Sequence, residues 1–136
     1  MKLLEGKNAI VTGGSRGIGR GIAKVFAAHG ANVAFTYNSS EEAAKELEQE
    51  LSESGVKAKG YRSDASDFTA AGELINSMVE DFGSIDILIN NAGVSGSHPD
   101  KLNTDTWDQQ MNINAKGVFL GMRAVIPEMQ KTGGGA

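Results

Sequence analysis

Cysteine is absent from the 136 residues, which excludes disulfides and thiolate metal sites and fits a cytoplasmic location. An excess of basic residues is lacking too. The formal charge is −4, which argues against a nucleic-acid or anionic-membrane partner. No apolar run approaches the roughly 20 residues of a membrane span, and residues 1–7 have no signal-peptide core. There is no linker, internal repeat or low-complexity segment before residue 132. What remains is an ordinary globular balance, 40% hydrophobic and 22% charged, in a single domain's length that suffices to bury a core.

Glycine, by contrast, is concentrated where it has work to do. The stretch Thr12-Gly13-Gly14-Ser15-Arg16-Gly17-Ile18-Gly19 follows a short apolar run, Asn8–Val11, and precedes an amphipathic run over residues 18–29. A strand that turns through glycines into a helix presents the helix N-terminus at the turn. Its free N–H groups and positive dipole end suit a phosphate. Gly13 lets the chain leave the strand sharply, Gly17 offers no Cβ to obstruct a pyrophosphate, and Gly19 lets the helix lie close to the strand. The spacing is G-x-x-x-G-x-G rather than G-x-G-x-x-G. No Gly-Lys-Ser/Thr follows, so it is not a P-loop.

Strand and helix alternate along the whole chain, which favours a parallel sheet with helical crossovers. The first helix is expected to bury Ile18, Ile22, Val25 and Phe26, with Ala23 and Ala27 beside them and Gly30 as C-cap. His29 reads as a surface residue. Strand two covers residues 32–37. The next helix, about 40–54, has Ser39 or Ser40 to cap it, Glu41 and Glu42 against its dipole, and Leu47 and Leu51 inside. Strand three, residues 57–62, is the least hydrophobic, as suits a sheet edge. Asp64 to Asp67 should open a helix to Phe82, with Phe68, Ala71, Leu74, Ile75, Met78 and Val79 as its apolar stripe. Strand four, residues 85–90, should be buried on both faces at Ile87, Leu88 and Ile89. A loop with Gly96, Pro99 and a solvated His98 follows. One last helix should run from Asn103 or Thr104 towards Lys131 and bury Trp107, Met111, Val118, Met122, Val125, Ile126 and Met129. Pro127 should kink it, and residues 132–136 read as a flexible tail. The fold class is α/β, a Rossmann-like doubly wound parallel sheet of about four strands. Right-handed crossovers give the order 3-2-1-4. The order reverses between strands one and four, and ligands bind at such a switch point beyond the carboxyl ends of the strands. The glycine turn and the turn Asn90-Asn91-Ala92-Gly93 both belong there.

These two motifs together resemble the short-chain dehydrogenase/reductase family, and the resemblance covers essentially the whole chain. The resemblance implies a nicotinamide cofactor, hydride transfer to or from an alcohol or carbonyl, and no metal. It assigns Gly13, Gly14, Ser15, Arg16, Gly17, Ile18 and Gly19 to the pyrophosphate and adenosine ribose. Asp64 and Ala65 fall to adenine, Tyr37 and Asn38 to the end of strand two beside the ribose, and Asn91, Ala92 and Gly93 to the cofactor ribose. The alternative role for Asp64 is to cap the following helix. One of Asn90 and Asn91 is expected only to hold the strand ends. Asn114, in Met111-Asn112-Ile113-Asn114-Ala115-Lys116-Gly117, matches the family's catalytic asparagine. The family's Ser and Tyr-x-x-x-Lys are missing: Tyr37 and Tyr61 are followed at the fourth position by Glu41 and Ala65. The chain therefore reads as the cofactor-binding half of an oxidoreductase, or as a non-catalytic nucleotide-binding module, or as an inactive truncation.

Cofactor choice turns on charge at the end of strand two. An acid there would accept from the ribose 2′-OH and repel a 2′-phosphate. Here Tyr37-Asn38-Ser39-Ser40 brings no acid before Glu41, and Arg16 is available to a 2′-phosphate. NADP(H) is expected over NAD(H), the plain alternative for Arg16 being a solvated surface charge. Residues 1–93 look most like the 3-oxoacyl-acyl-carrier-protein reductases of fatty-acid synthesis. Residues 116–127 look more like the branch acting on cyclic alcohols, steroids and sugars. In the family the last helix packs against a partner subunit. A homo-oligomer formed through that helix, or through an exposed strand four, is expected.

Overall fold

The computed structural model describes residues 1–64, 67, 69–93 and 103–136. Its strands are β1 (Asn8–Val11), β2 (Asn32–Tyr37), β3 (Ala58–Arg62) and β4 (Ile87–Ile89). They form one sheet in the order β3-β2-β1-β4, all parallel, with Ala9 beside Val33 and Ile87, and Tyr37 beside Arg62. The expected order and the edge position of β3 both hold. Gly96, His98, Pro99, Ala65 and Phe68 lie outside the described residues.

Helices cover both faces. On one, α1 (Gly17–Ala28) and α2 (Glu41–Ser52) pack Ala23, Ala27, Ala44, Leu47 and Leu51 against Val11, Val33 and Phe35. On the other, α3 (Ala71–Phe82) and α5 (Gly117–Lys131) bring Ile75, Met78, Val125 and Met129 against Ile10 and Ala34. Full burial of a side chain the size of Phe35, Ile10 or Leu47 stabilises by about 1.5–3 kcal/mol each. The other end of the sheet is pinned by polar groups. The Asn8 amide donates to Asp86 Oδ2 at 2.8 Å, and its side chain donates to the Phe82 and Ser84 carbonyls. Ser40 caps α2, its Oγ accepting from the Ala43 N–H at 3.3 Å, with Glu41 and Glu42 in the first turn as expected.

Several expectations are corrected. Helix α1 turns Gly19, Ala23 and Ala27 inward, while Ile18 is 78% exposed and Val25 is also exposed. The helix lies so close to the sheet that only small residues fit the contact, which displaces the large apolar side chains to its flanks. Helix α3 starts at Ala71 rather than near Asp64. Before it, Asp67 Oδ1 accepts from the Thr69 N–H and hydroxyl, a local turn that competes with helix. Strand β4 is half-buried, not buried on both faces, because little of the sheet continues beyond it.

The tail is not free. Ala136 donates its N–H to the Asp86 carbonyl at 2.9 Å and accepts from the Leu88 N–H at 2.9 Å. These two bonds are those of a parallel ladder on the outer side of β4. A methyl on Gly135 would stand 2.6 Å from Met129 Sδ and 2.7 Å from the Asp86 carbonyl oxygen, so glycine here permits docking rather than disorder.

The last helical run is α4 (Thr104–Met111), a π-helical turn (Asn112–Lys116) and α5. Asn103 caps α4, its side chain accepting from the Asp105 N–H at 2.7 Å. Across the π turn Gly117 N–H bonds back to the Asn112 carbonyl. The inserted residue rotates α5 relative to α4. Ile113, Leu120, Val125 and Met129 are buried, whereas Trp107 is 65% exposed and Met111, Phe119, Met122 and Ile126 are exposed with it. The expected inner face is largely an outer one.

Candidate functional site

The carboxyl ends of β1, β2 and β4 are tied together by threonine and asparagine side chains. Thr12 Oγ1 donates to the Ile89 carbonyl at 3.2 Å and accepts from the N–H groups of Asn91 and Ala92, each at 3.0 Å. Asn91 Nδ2 donates to the carbonyls of Thr12 and Gly13 at 3.0 and 3.1 Å. Thr36 Oγ1 accepts from the Gly13 N–H at 2.9 Å, and its carbonyl accepts from the Gly14 N–H at 2.9 Å. The backbone groups of Thr12 and Gly13 and the Gly14 N–H thereby each meet a partner outside the turn. Of the asparagine pair, Asn91 performs the holding role.

Three glycines in the turn, Gly13, Gly14 and Gly19, leave no room for a Cβ. Gly13 has φ +63°, and a Cβ there would approach Ala92 Cα to 3.1 Å. On Gly19 it would stand 2.2 Å from the Gly13 carbonyl oxygen, which locks α1 against the turn. Gly17 differs: it has φ +57°, but a Cβ would meet nothing within 4 Å. The space beside the start of α1 is open. Helix α1 has no acidic residue in its first turn and no side-chain cap from Arg16. Its first N–H groups and positive dipole end therefore face that space without an anionic partner from the helix itself.

A cleft of about 400 Å³ runs along this edge. Of the residues expected at the site, Gly13, Ser15, Arg16, Tyr37, Asn38, Asp64, Asn91, Ala92 and Gly93 line it. Gly14 and Gly19 do not: Gly14 is packed on Phe35, where a Cβ would come to 2.6 Å, and Gly19 on Gly13. Gly17 and Ile18 lie at the exposed start of α1, off the cleft wall. Asn114 is also off the wall, but its Oδ1 lies 3.1 Å from where a Gly93 Cβ would be, so the π turn carries it to the rim. Asp64 does not cap α3, which begins seven positions later, and stands in the cleft instead. Thr12 and Asn90, from the two turns expected at the switch point, belong to this edge, and so do Thr36, Ser63, Asp67, Gly117 and Gly121, which the sequence did not point to. Thr36, inside β2, carries no distinctive signal, and the helix glycines become legible only once α5 is placed over Asn90.

Charged clusters elsewhere are structural. Tyr61 OH donates to Asp81 Oδ2 at 2.5 Å, and Lys59 Nζ pairs with the same oxygen at 2.6 Å. Burial, then the Asp81 carboxylate, pushes the Tyr61 phenol far up, so it is fixed as a neutral donor tying β3 to α3. The bond from Lys59, then that from Tyr61, holds Asp81 below the usual carboxylate range. Lys24 and then Arg20 do the same to Glu50, linking α1 to α2.

A family model described as short chain dehydrogenase matches residues 7–136. The chain is 35% identical over 132 residues to glucose 1-dehydrogenase 2 of Bacillus subtilis, covering 96% of this chain and 51% of that protein. It is 37% identical over 131 residues to a 3-oxoacyl-acyl-carrier-protein reductase of Staphylococcus epidermidis, covering 96% and 54%. A short chain dehydrogenase from Burkholderia cenocepacia, solved in complex with NADP, superposes with TM-score 0.86 at 40% identity over 92% of this chain and 51% of that one. A 7α-hydroxysteroid dehydrogenase complexed with NADH and a 7-oxo bile acid superposes with TM-score 0.90 at 34% identity over 97% and 51%. The chain spans about half the length of the curated relatives it matches.

Proposed function

Because the chain belongs to the short-chain dehydrogenase family, we propose that residues 1–136 form one Rossmann-type domain that supplies the cofactor cleft of an oxidoreductase, and that this cleft takes NADP(H) in preference to NAD(H). The observation that carries the reading is the joint made by Thr12 and Asn91. It holds the glycine turn and the Asn-Asn-Ala-Gly turn side by side over a cleft with an unmatched helix N-terminus at its mouth. The open side of Gly17 is the cradle a pyrophosphate needs.

In this reading the backbone N–H groups at the start of α1 and Ser15 hold the pyrophosphate. Tyr37 and Asn38 meet the adenosine ribose, Arg16 its 2′-phosphate, Asp64 and Ala65 the adenine, and Ala92 and Gly93 the second ribose. The cofactor, when bound, supplies or accepts a hydride. Asn114 stands at the rim beside Gly93 as a candidate for the catalytic proton path. The Ser and the Tyr-x-x-x-Lys are not among the 136 residues, so in this reading turnover draws on groups outside residues 1–136.

The substrate class is a ketone or alcohol, with a 3-oxoacyl-acyl-carrier-protein-like ketone first and a sugar or steroid alcohol second. A reductase of the first kind and a glucose dehydrogenase are similar to this chain at nearly equal identity. Among the described residues no helix is long and apolar enough to cross a membrane; a cytoplasmic place goes with the cofactor reading. A second copy of the chain is the proposed partner for the exposed apolar face of α4 and α5.

Calorimetric titration with NADPH and NADH tests the cofactor reading. Saturable binding that favours NADPH and weakens about tenfold in Arg16→Ala is expected, the loss of one charge-assisted contact. Absence of binding by a chain that circular dichroism shows to be folded would overturn it.

A further inference from the structure

Arg62 closes β3 and stands beside Tyr37 in the register of the sheet. Paired residues on neighbouring strands point to the same face. Tyr37 packs with Phe35 on the face covered by α1 and α2, so Arg62 leaves the sheet on that face too. It is the face on which α1 starts, behind Arg16. Arg62 Nε donates to the Asn38 carbonyl at 3.2 Å, which turns the side chain back over the end of β2. Asn38, Tyr37 and Arg16 line the cleft there. The bond to Asn38 uses Nε and leaves both amino groups of the fork. Among the described residues no carboxylate forms an ion pair with Arg16 or Arg62.

Charge balance makes the second arginine matter. Two carboxylates, Asp64 and Asp67, line the cleft with Arg16. Each cation added beside these acids makes the rim more favourable to a dianionic phosphate, and Arg62 supplies one.

We infer that Arg62 is a specificity-determining residue: with Arg16 it grips the 2′-phosphate of NADP(H) from the β3 side, preset by its bond to the Asn38 carbonyl. The inference rests on the cofactor reading above. A guanidinium already held at the end of β2 loses less freedom on binding than a free surface arginine, which favours its use here.

The test is calorimetric titration of the 136-residue chain and its Arg62→Ala, Arg62→Gln and Arg62→Lys variants with NADPH, NADH and adenosine 2′,5′-bisphosphate. Arg62→Ala should weaken NADPH and the bisphosphate about tenfold and leave NADH within about twofold. Arg62→Gln keeps a donor for the Asn38 carbonyl but no charge, and should behave like Arg62→Ala. Arg62→Lys should recover part of the loss. The salt dependence of NADPH binding should also flatten in the uncharged variants. Equal weakening of NADPH and NADH, or NADPH binding unchanged in Arg62→Gln, would overturn the inference while the cofactor reading stands. Wild-type chain that does not favour NADPH would overturn both, and that result appears before any variant is made.

Discussion

A methyl group on Gly19 would stand 2.2 Å from the Gly13 carbonyl oxygen and 2.5 Å from Asn91 Nδ2. The first is backbone and cannot swing aside. Gly19→Ala is therefore expected to destabilise the fold by about 2–4 kcal/mol, read from the urea midpoint. Gly17→Ala is the contrasting case. It clashes with nothing within 4 Å, and the penalty is the left-handed φ of +57°, about 1–2 kcal/mol. Its methyl would project into the open space at the helix start, so cofactor affinity should fall by more than stability does. A Gly17→Ala chain that loses stability but binds as before would remove Gly17 from the cradle. Asn91→Ala deletes both side-chain bonds to Thr12 and Gly13 and should cost about 2 kcal/mol by the same measurement.

At the scale of elements, the β3–α3 joint gives the chain a pH dependence with a definite sign. The Asp81 carboxyl is held low by Lys59 and then Tyr61, and the Glu50 carboxyl by Lys24 and then Arg20. A carboxyl lowered in the folded state stabilises it above the unfolded value and loses that contribution as pH falls through the lowered one. Tyr61 runs the other way: raised on folding, it contributes below about pH 10 and loses its contribution as pH climbs higher. The thermal midpoint should drop on acidification below about pH 4, and more gently in Asp81→Asn than in the wild-type chain. The bonds of Ala136 to β4 predict a protected Leu88 amide. Hydrogen exchange at that amide should quicken on deletion of residues 133–136, and equal rates in both chains would refute the docking. These elements also show what was legible in the sequence. Sheet order, the Ser40 cap and both turns were readable because each rests on local chemistry or on the handedness of crossovers. The inner face of α1 was not, since Gly19, Ala23 and Ala27 carry almost no hydrophobic signal. The faces of α4 and α5 were not, since a π turn shifts the helical phase without any mark in composition. The tail's three consecutive glycines read as freedom, yet at Gly135 small size is what allows close packing.

For the whole molecule, the apolar residues Trp107, Met111, Phe119, Met122 and Ile126 stay exposed along one helical run. In the proposed reading these residues form the surface through which a second copy associates. Sedimentation velocity should show a concentration-dependent dimer or larger species, shifted to monomer by the paired substitution Trp107→Ser and Phe119→Asp. A wild-type chain that remains monomeric on concentration would overturn self-association through this face. One feature of the cleft reaches further, into the order in which the protein assembles. The bonds joining its two turns link residues 79 positions apart, Thr12 and Asn91. Contacts of such long range form late, after the entropy of closing the intervening chain has been met. A growing polypeptide shorter than 91 residues would thus carry the glycine turn with no latch. Any ligand seated across both turns is then a reporter of completed topology. It would stabilise the joined turns and slow their parting.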